Sequence, residues 1–217
     1  MQDLHIEIRE MTQSDVKRVV ELHQNAFEGF FLTSLGSRFL TEIYSAIVED
    51  PTGISLLAYD GQDIYGFAVG TTKPAKFYRR LIRKRLWKFF LASLAPIIRN
   101  PRILPHLVRG LSLPTEAARP EGWGTLLSIG VTREARNLGI GHLLVTAFLK
   151  ESVQRGLKKV NLLTDKYHND AVNNFYQHEG FQYDHSFVTA EGRWMNEYVI
   201  DLPVSWSSSS KRNEKGL

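Results

Sequence analysis

The sequence predicts an α/β domain in which helices cover a mixed β-sheet. Runs rich in β-branched and aromatic residues alternate with helical periodicity in the order β-α-α-β-β, an insertion, then β-α-β-α-β-β. The length of 217 residues suits one domain with a sizeable insertion. Hydrophobic residues make up 43% of the chain and charged residues 23%, which excludes wholesale disorder and a fibrous architecture.

The first half of the chain carries start and stop signals for its elements. Alternating residues predict a strand over 5–9, and Thr12 to Asp15 offer an N-cap for the helix that follows. Asp50-Pro51 stops a second helix, and Asp60-Gly61 between two β-rich runs predicts a hairpin. We therefore expect helices over 16–27 and 34–47, and hairpin strands over 54–59 and 64–71.

The second half of the chain completes the domain. The sequence predicts a strand over 124–132, a helix over 139–155, a strand over 159–165, a helix over 169–178, and closing strands over 181–188 and 193–201. These elements extend a single domain over residues 1–204. Residues 205–217 are rich in serine and lysine, and we expect them to form a disordered tail.

Composition excludes several kinds of function. The chain has no cysteine, which rules out a disulfide scaffold, zinc–thiolate and iron–sulfur sites, and a cysteine nucleophile. Its seven histidines show no metal-ligand spacing, so we expect no metal site. The first residues lack the basic and apolar regions of a signal peptide, and no run of about 18 apolar residues occurs. These features predict a cytoplasmic protein.

The most informative local pattern is the stretch from Ile129 to His142, where an apolar strand leads through a short loop into a helix. Glycines at such a point let backbone N–H groups approach an anion at the positive end of the helix dipole. A dinucleotide-binding fingerprint would need glycine or alanine at Leu144, and the Gly-Lys-Ser/Thr of a nucleotide-binding P-loop does not occur. What remains is Arg136-x-x-Gly139-x-Gly141.

This pattern resembles the pyrophosphate-binding signature of the GNAT superfamily of acyl-CoA-dependent N-acyltransferases. The resemblance implies that the strand end, Ile129-Gly130-Val131, pairs through its backbone with the pantetheine arm of acetyl-CoA. It further implies that the pyrophosphate is held by Arg136 and by the amides of Asn137, Leu138, Gly139, Ile140, Gly141 and His142. The competing interpretation is an ordinary strand–turn–helix whose glycines serve packing alone.

A second stretch, from Asn169 to Phe181, resembles the other signature of the same superfamily. Asn169 precedes Tyr176 by seven residues, and Gly180-Phe181 begins four residues after the tyrosine. The resemblance implies that Asn169 contacts the cofactor arm and that Tyr176 acts as the general acid for the departing thiolate. Taken alone, Tyr176 would be interpreted as a core aromatic residue with its hydroxyl at the surface.

The resemblance also implies a fold and a reaction. The fold is a mostly antiparallel sheet of about seven strands with a helical insertion between the third and fourth. In the reaction, a primary amine attacks the thioester of acetyl-CoA directly in a ternary complex, without a metal. The backbone N–H of Val131 would hold the oxyanion.

The general base is left open by the sequence. Thr164 occupies the fifth-strand position at which some family members carry a glutamate base. Asp165 is adjacent and is a candidate base, although it would point to the other face of a regular strand. The remaining candidates are Glu28, His168 and Glu197, and for each of them a solvated surface group is the competing interpretation.

The insertion, residues 73–113, concentrates the positive charge. It holds eleven of the 27 lysines and arginines and none of the 23 acidic residues, so the rest of the chain carries 16 basic against 23 acidic residues. We expect two helices broken around Pro96 and Pro101. Three roles stay open: a packed helical pair with a solvated basic face, a lid for an anionic acceptor or the CoA phosphates, and peripheral attachment through 76–112 to anionic lipid at the inner face of the membrane.

The predicted function is N-acetyl transfer from acetyl-CoA to a small-molecule amine. Residues 30–40 and the insertion loosely resemble GNAT members associated with cell-surface sugar modification, which ranks an amino sugar or another cell-envelope precursor first as acceptor. The alternative is a non-catalytic CoA-binding module that docks on a membrane or protein partner through the insertion. No nucleic-acid-binding module accompanies the basic residues, so we expect no nucleic acid partner, and either a monomer or a homodimer.

Overall fold

The computed structural model describes residues 5–61, 63–75, 77–99, 119–189 and 192–203. The strands are β1 (Glu7–Glu10), β2 (Gly53–Asp60), β3 (Asp63–Thr71), β4 (Trp123–Val131), β5 (Lys159–Asp165), β6 (Gln182–Val188) and β7 (Trp194–Asp201). The helices of the described part are α1 (Val16–Ala26), α2 (Phe31–Ser34), α3 (Gly36–Glu49), α4 (Phe77–Lys84), α5 (Leu86–Arg99), α6 (Ile140–Gln154) and α7 (Asp170–His178).

In the described residues, the strands form one sheet of seven in the order β1-β2-β3-β4-β5-β7-β6. Neighbouring strands are antiparallel except β4 and β5, which are parallel. The predicted fold class, a mixed and mostly antiparallel sheet flanked by helices, is therefore confirmed. The predicted element bounds differ from the observed ones by one or two residues in most cases, and the short helix α2 was not predicted.

Alternation along the central strands divides the core between the two faces of the sheet. Leu57 and Phe67 face one side, where they pack with α1, α3, α4 and α5. Leu56 and Ala68, one position away along each strand, face the other side and pack with α6 and α7. The sheet is thus covered on both faces, and the carboxyl ends of β4 and β5 lie between the two helical layers.

The insertion differs from its prediction. The expected break at Pro96 is wrong, because α5 continues through Pro96 to Arg99 and the chain turns at Arg85 instead. Phe89 and Ala92, in the turns before the proline, are buried against α3, and this packing outweighs the hydrogen bond that the proline cannot donate. The expected break at Pro101 and the predicted tail over 205–217 lie outside the described residues.

Substitution of Gly70 tests how tightly α6 packs on the sheet. A Cβ atom at Gly70 would overlap the carbonyl oxygen of Thr125 and the ring of Phe148, neither of which can move freely. We expect Gly70→Ala to lower the free energy of unfolding by about 2–3 kcal/mol. At Gly124 the overlapping atom is the end of the flexible Leu157 side chain, so Gly124→Ala is expected to cost less than about 1 kcal/mol. Chemical denaturation measures both values, and equal losses would contradict this account.

The stability of the fold depends on pH through His23. Its ring is only 4% exposed, its Nδ1 lies 2.7 Å from the Tyr44 hydroxyl, and burial lowers its pKa from 6.5 to about 4. As the pH falls from about 6.5 to about 4, the unfolded chain binds a proton that the folded chain does not, so the folded state loses stability in this window. The loss reaches up to about 3 kcal/mol, full stability being retained above pH 6.5.

Denaturation measured across that window checks the role of His23. We expect His23→Phe, which fits the aromatic surroundings of the ring, to flatten the decline. Replacement of the exposed His5 by glutamine is the control and is expected to leave the decline unchanged. A decline of the same size in the His23 variant would assign it to other groups.

Candidate active site

The sheet opens between β4 and β5. The two strands pair only from Trp123 opposite Lys159 to Leu126 opposite Leu162, although both continue further. Leu127 forms a β-bulge, since Leu126 lies opposite Gly70 of β3 while Ser128 lies opposite Val69. A bulge bends its strand, and here the bend coincides with the end of the β4–β5 pairing. The result is a gap between the carboxyl ends of the two parallel strands.

The backbone of β4 presents hydrogen-bonding groups to this gap. The Thr132 N–H donates to the Tyr65 carbonyl at 2.8 Å, which makes this pair a hydrogen-bonded one in the β3–β4 ladder. Hydrogen-bonded pairs alternate along an antiparallel ladder, so the N–H and C=O groups of Ile129 and Val131 point away from β3. They face the gap, where an extended chain of amides can pair with them.

Gly130, between these two residues, contributes to packing and not to the gap. Its own backbone groups turn towards β3 by the same alternation. A Cβ atom on Gly130 would lie 2.7 Å from Cε1 of Phe67 and 3.2 Å from Cδ2 of Leu22. The missing side chain therefore lets the β4 end pack on the core of the α1 face.

The loop after β4 exposes a row of backbone N–H groups. A 3-10 turn over Arg133–Ala135 is followed by two residues in the left-handed region, Asn137 (φ 64°) and Gly139 (φ 76°), before α6 begins. Within the described part of the chain, none of the six consecutive N–H groups from residue 137 to residue 142 donates a hydrogen bond. These N–H groups lie at the positive end of the dipole of α6, a 15-residue helix. Such an arrangement binds phosphate.

The remaining side chains predicted in this loop are accessible. Arg136, Leu138 and His142 are all exposed. His142 Nδ1 lies 2.8 Å from a carboxylate oxygen of Glu179, which ties the start of α6 to the end of α7. The Arg136 guanidinium makes no ion pair with a described residue, so it can add a positive charge beside the N–H groups.

Asn169 holds the start of α7 against the end of β5. Its side-chain amide donates to the Asp165 carbonyl at 3.3 Å, and the Asn173 amide donates to the same carbonyl at 3.2 Å. The Thr164 hydroxyl in turn donates to Oδ1 of Asn173 at 2.5 Å. This network fixes the direction in which α7 leaves the sheet.

Tyr176 is buried next to the same helix junction. Its ring packs edge-on against Phe175 and Phe181, with centroid distances of 5.1 and 5.7 Å. Its hydroxyl has no hydrogen-bond partner among the described residues, and burial raises the pKa of the phenol well above its usual value. The hydroxyl is therefore a protonated donor with its proton uncommitted.

The two sequence signatures meet in space. A Cβ atom at Gly141, in the first turn of α6, would lie 3.2 Å from Cζ of Phe175, the neighbour of Tyr176 on α7. The helix turns that carry the N–H row and the buried phenol therefore adjoin each other.

The candidate bases are separated rather than gathered. Arg193 contacts both carboxylate oxygens of Asp165, at 2.6 and 2.8 Å, so Asp165 reaches an acceptor only after this ion pair opens. Glu197 is 2% exposed and accepts hydrogen bonds from Arg119 and Asn161. The base role of Asp165 stays a prediction.

The other candidate bases are at the surface. Glu28 is exposed at the end of α1 and lies 3.7 Å from the Arg133 guanidinium. His168 is exposed in a left-handed turn, with φ at 57°, between β5 and α7.

A cavity that the sequence analysis missed lies on the α1 face of the β4 end. It has a volume of about 320 Å³ and is lined by Leu22, Asn25, Ala26, Val131, Thr132, Arg133 and Glu134. The Thr132 hydroxyl is buried and has no hydrogen-bond partner among the described residues. No local pattern marks this cavity, because α1 and the β4 end are more than 100 residues apart in the chain.

Among the residues that the structure describes, one group of side chains has metal-ligand geometry. Ligand atoms of Asp184, His185 and Glu197 lie within 4.8 Å of one another. The Arg119 guanidinium already neutralises Glu197, which weakens the attraction of this group for a cation. The expectation of no metal site stays a prediction.

The comparisons with known proteins agree with this architecture. The family model described as "Acetyltransferase (GNAT) family" matches residues 16–181, so the chain belongs to the GNAT family of acetyltransferases. A comparison with curated proteins found no match. No helix in the described part of the chain is long and apolar enough to cross a membrane.

Solved structures share the fold at low sequence identity. An N-acetyltransferase from Staphylococcus aureus Mu50 has a TM-score of 0.60 and 13% identity, over 92% of this chain and 99% of that one. PaiA N-acetyltransferase from Thermoplasma acidophilum, in complex with coenzyme A, gives 0.55 and 13% over 89% and 98%. A mutant SpeG spermidine N-acetyltransferase from Vibrio cholerae gives 0.57 and 13% over 95% and 98%.

Proposed function

We propose that this chain transfers the acetyl group of acetyl-CoA to a primary amine of a small molecule. The observation that carries the proposal is the row of six N–H groups, residues 137–142, that donate to no described atom at the start of α6. Such a row can hold an anion of several oxygens, and the diphosphate of CoA provides one. The PaiA structure, solved with coenzyme A, supports this choice of donor.

The chain's own groups have distinct tasks in the reaction. The N–H row and Arg136 bind the diphosphate, and the outward backbone groups of Ile129 and the carbonyl of Val131 hold the pantetheine arm in the gap. Acetyl-CoA supplies an activated thioester. As the amine nitrogen bonds to the carbonyl carbon, the Val131 N–H stabilises the charge on the oxygen. The C–S bond then breaks and the Tyr176 hydroxyl donates its proton to the sulfur.

The acceptor amine must lose a proton in the same reaction. An ammonium group has no free electron pair, so the amine is deprotonated before or during the attack. Asp165 or water carries this proton in our proposal. The nitrogen loses a second proton once its bond to carbon has formed, and a proton passed through solvent restores the Tyr176 phenolate to a phenol, so the overall reaction yields the amide, the CoA thiol and one released proton.

We place the acceptor in the cavity beside α1. Its rim is polar, with Asn25, Thr132, Arg133 and Glu134, and its volume of about 320 Å³ suits a sugar-sized group rather than a long chain. We therefore rank an amino sugar, free or as a cell-envelope precursor, ahead of polyamines and protein N-termini. The use of acetyl-CoA and the lack of cysteine favour the cytoplasm as the place of action.

The test is a transfer assay on the purified full chain. Acetyl-CoA is incubated with a panel of amino sugars, nucleotide-linked amino sugars, polyamines and peptides, and free thiol is measured. We expect thiol release that depends on an amino sugar. Failure of acetyl-CoA to bind, measured by calorimetry, would overturn the donor, whereas binding without amine-dependent thiol release would overturn the transferase.

A further inference from the structure

Helix α5 exposes an apolar face along its whole length. Its exposed large side chains are Leu86, Trp87, Phe90, Leu91, Leu94 and Ile98, which we call the α5 stripe. Trp87 is 70% and Ile98 77% exposed, and the rings of Trp87 and Phe90 stack with centroids 6.1 Å apart. The opposite side of α5 is buried against α3 through Phe89, Ala92 and Ser93. A continuous apolar surface of this kind marks a contact site.

The apolar residues of the insertion are divided between the core and the surface. In the structure Phe77, Leu81 and Phe89 are core residues, whereas Leu86 and Phe90 belong to the exposed stripe. One apolar side of the insertion is thus buried in the core, and a second apolar side is exposed at the surface.

Among the described basic residues of the insertion, two groups bear on the α5 stripe. One group attaches α4 and α5 to the body: Arg80 donates to backbone carbonyls, Lys84 pairs with Asp50, and Arg85 pairs with Glu42 and Glu49. The second group makes no ion pair with the described residues. It comprises Arg83, three residues before Leu86, and Lys88 within α5.

A third cation extends this second group. Arg38 of α3 lines an open cleft of about 350 Å³ together with Lys88 and Leu91, and it has no ion pair with the described residues. The acidic residue of this cleft, Glu42, is already paired with Arg85. The α5 stripe is therefore flanked by three available positive charges, in a segment (73–99) without an acidic residue. These charges favour an anionic partner.

We infer that the α5 stripe docks on an anionic lipid bilayer, with α5 lying in the plane of the interface. Aromatic and aliphatic side chains enter the headgroup–acyl boundary, while Arg83, Lys88 and Arg38 contact lipid phosphates. The stripe covers only the 14-residue helix α5, so it serves attachment and not crossing. A second copy of the chain is a poorer partner, because two-fold pairing of the stripe would bring the same cations together.

Vesicle flotation of the full chain tests this proposal. Vesicles of phosphatidylcholine are compared with vesicles that also contain phosphatidylglycerol, at low and high salt. We expect flotation with the anionic vesicles, weakened by salt, and a shift of Trp87 emission to shorter wavelength. Trp87→Ser with Phe90→Ser is expected to weaken partition at least about tenfold, and Arg83→Glu with Lys88→Glu by a similar factor.

The control removes exposed apolar surface from a distant strand. Tyr183 and Val188 on β6 are 52% and 47% exposed, and replacing both by serine is expected to leave flotation unchanged. The melting temperature and acetyl-CoA affinity of every variant should stay at the wild-type level.

Three results would overturn the proposal. In the first, the wild type fails to float with anionic vesicles. In the second, light scattering shows a dimer that the Trp87 and Phe90 replacements dissociate, which assigns the stripe to a second copy. In the third, those replacements lower the melting temperature markedly, as expected if residues 100–118 of the same chain cover the stripe.

Discussion

Tyr176→Phe is expected to lower kcat by about a hundredfold or more while acetyl-CoA affinity changes by less than about twofold. The ring is held by Phe175 and Phe181, and phenylalanine keeps both contacts. The hydroxyl bonds to no described group, so its removal leaves no polar atom unpaired and should change the free energy of unfolding by less than about 1 kcal/mol. The expected loss of kcat therefore reflects the missing proton donor for the departing thiolate.

Tyr198→Phe is the matched control for this prediction. Tyr198 is likewise buried in the core of the α7 face, and its hydroxyl accepts only a long hydrogen bond, 3.4 Å from the Gln177 amide. Steady-state kinetics with the best acceptor from the amine panel should give a near-normal kcat for this variant. A normal kcat for Tyr176→Phe would remove the proposed acid from the mechanism.

The pH profile adds a second measurement on the same variant. Burial raises the pKa of Tyr176, so its hydroxyl keeps its proton throughout the range in which an ordinary tyrosine would begin to lose it. The wild-type rate should rise with pH as the amine loses its proton and should show no decline from tyrosine ionisation near pH 10. Tyr176→Phe is expected to lower this curve without changing its shape.

The parts of the site that the sequence predicts are those encoded over short distances. The order of strands and helices follows from residue periodicity and turn residues. The Arg136–Gly141 loop and the stretch from Asn169 to Tyr176 follow from spacing within about a dozen residues. Their contact through Gly141 and Phe175 was not predicted, because it depends on how α6 and α7 pack.

The remaining features depend on register and on distant partners. The bulge at Leu127 exists only relative to β3, and a strand pattern alone does not reveal it. Glu197 was a candidate base in the sequence, but Arg119, 78 residues away, is bonded to it in the structure. The α5 stripe is equally invisible, since only tertiary packing decides which apolar side of a helix is buried.

Gly139→Val is expected to weaken acetyl-CoA binding by about a hundredfold or more. Gly139 has φ at 76°, a region that costs a residue with a Cβ atom about 1–2 kcal/mol, and a β-branched residue is worse still. A valine relaxes towards negative φ, which rotates the neighbouring peptide groups and disperses the N–H row of residues 137–142. An anion site built from aligned amides loses most of its affinity when several of them turn away.

Gly156→Val separates this effect from backbone strain. Gly156 lies just beyond the carboxyl end of the same helix α6 with φ at 79°, and a Cβ atom on either glycine would meet nothing within 4 Å. Both variants should therefore lose a similar free energy of unfolding, measured by chemical denaturation. Calorimetry should show weakened acetyl-CoA binding for Gly139→Val alone, because only Gly139 adjoins unpaired N–H groups at a positive helix end. Equal affinities in the two variants would place the diphosphate elsewhere.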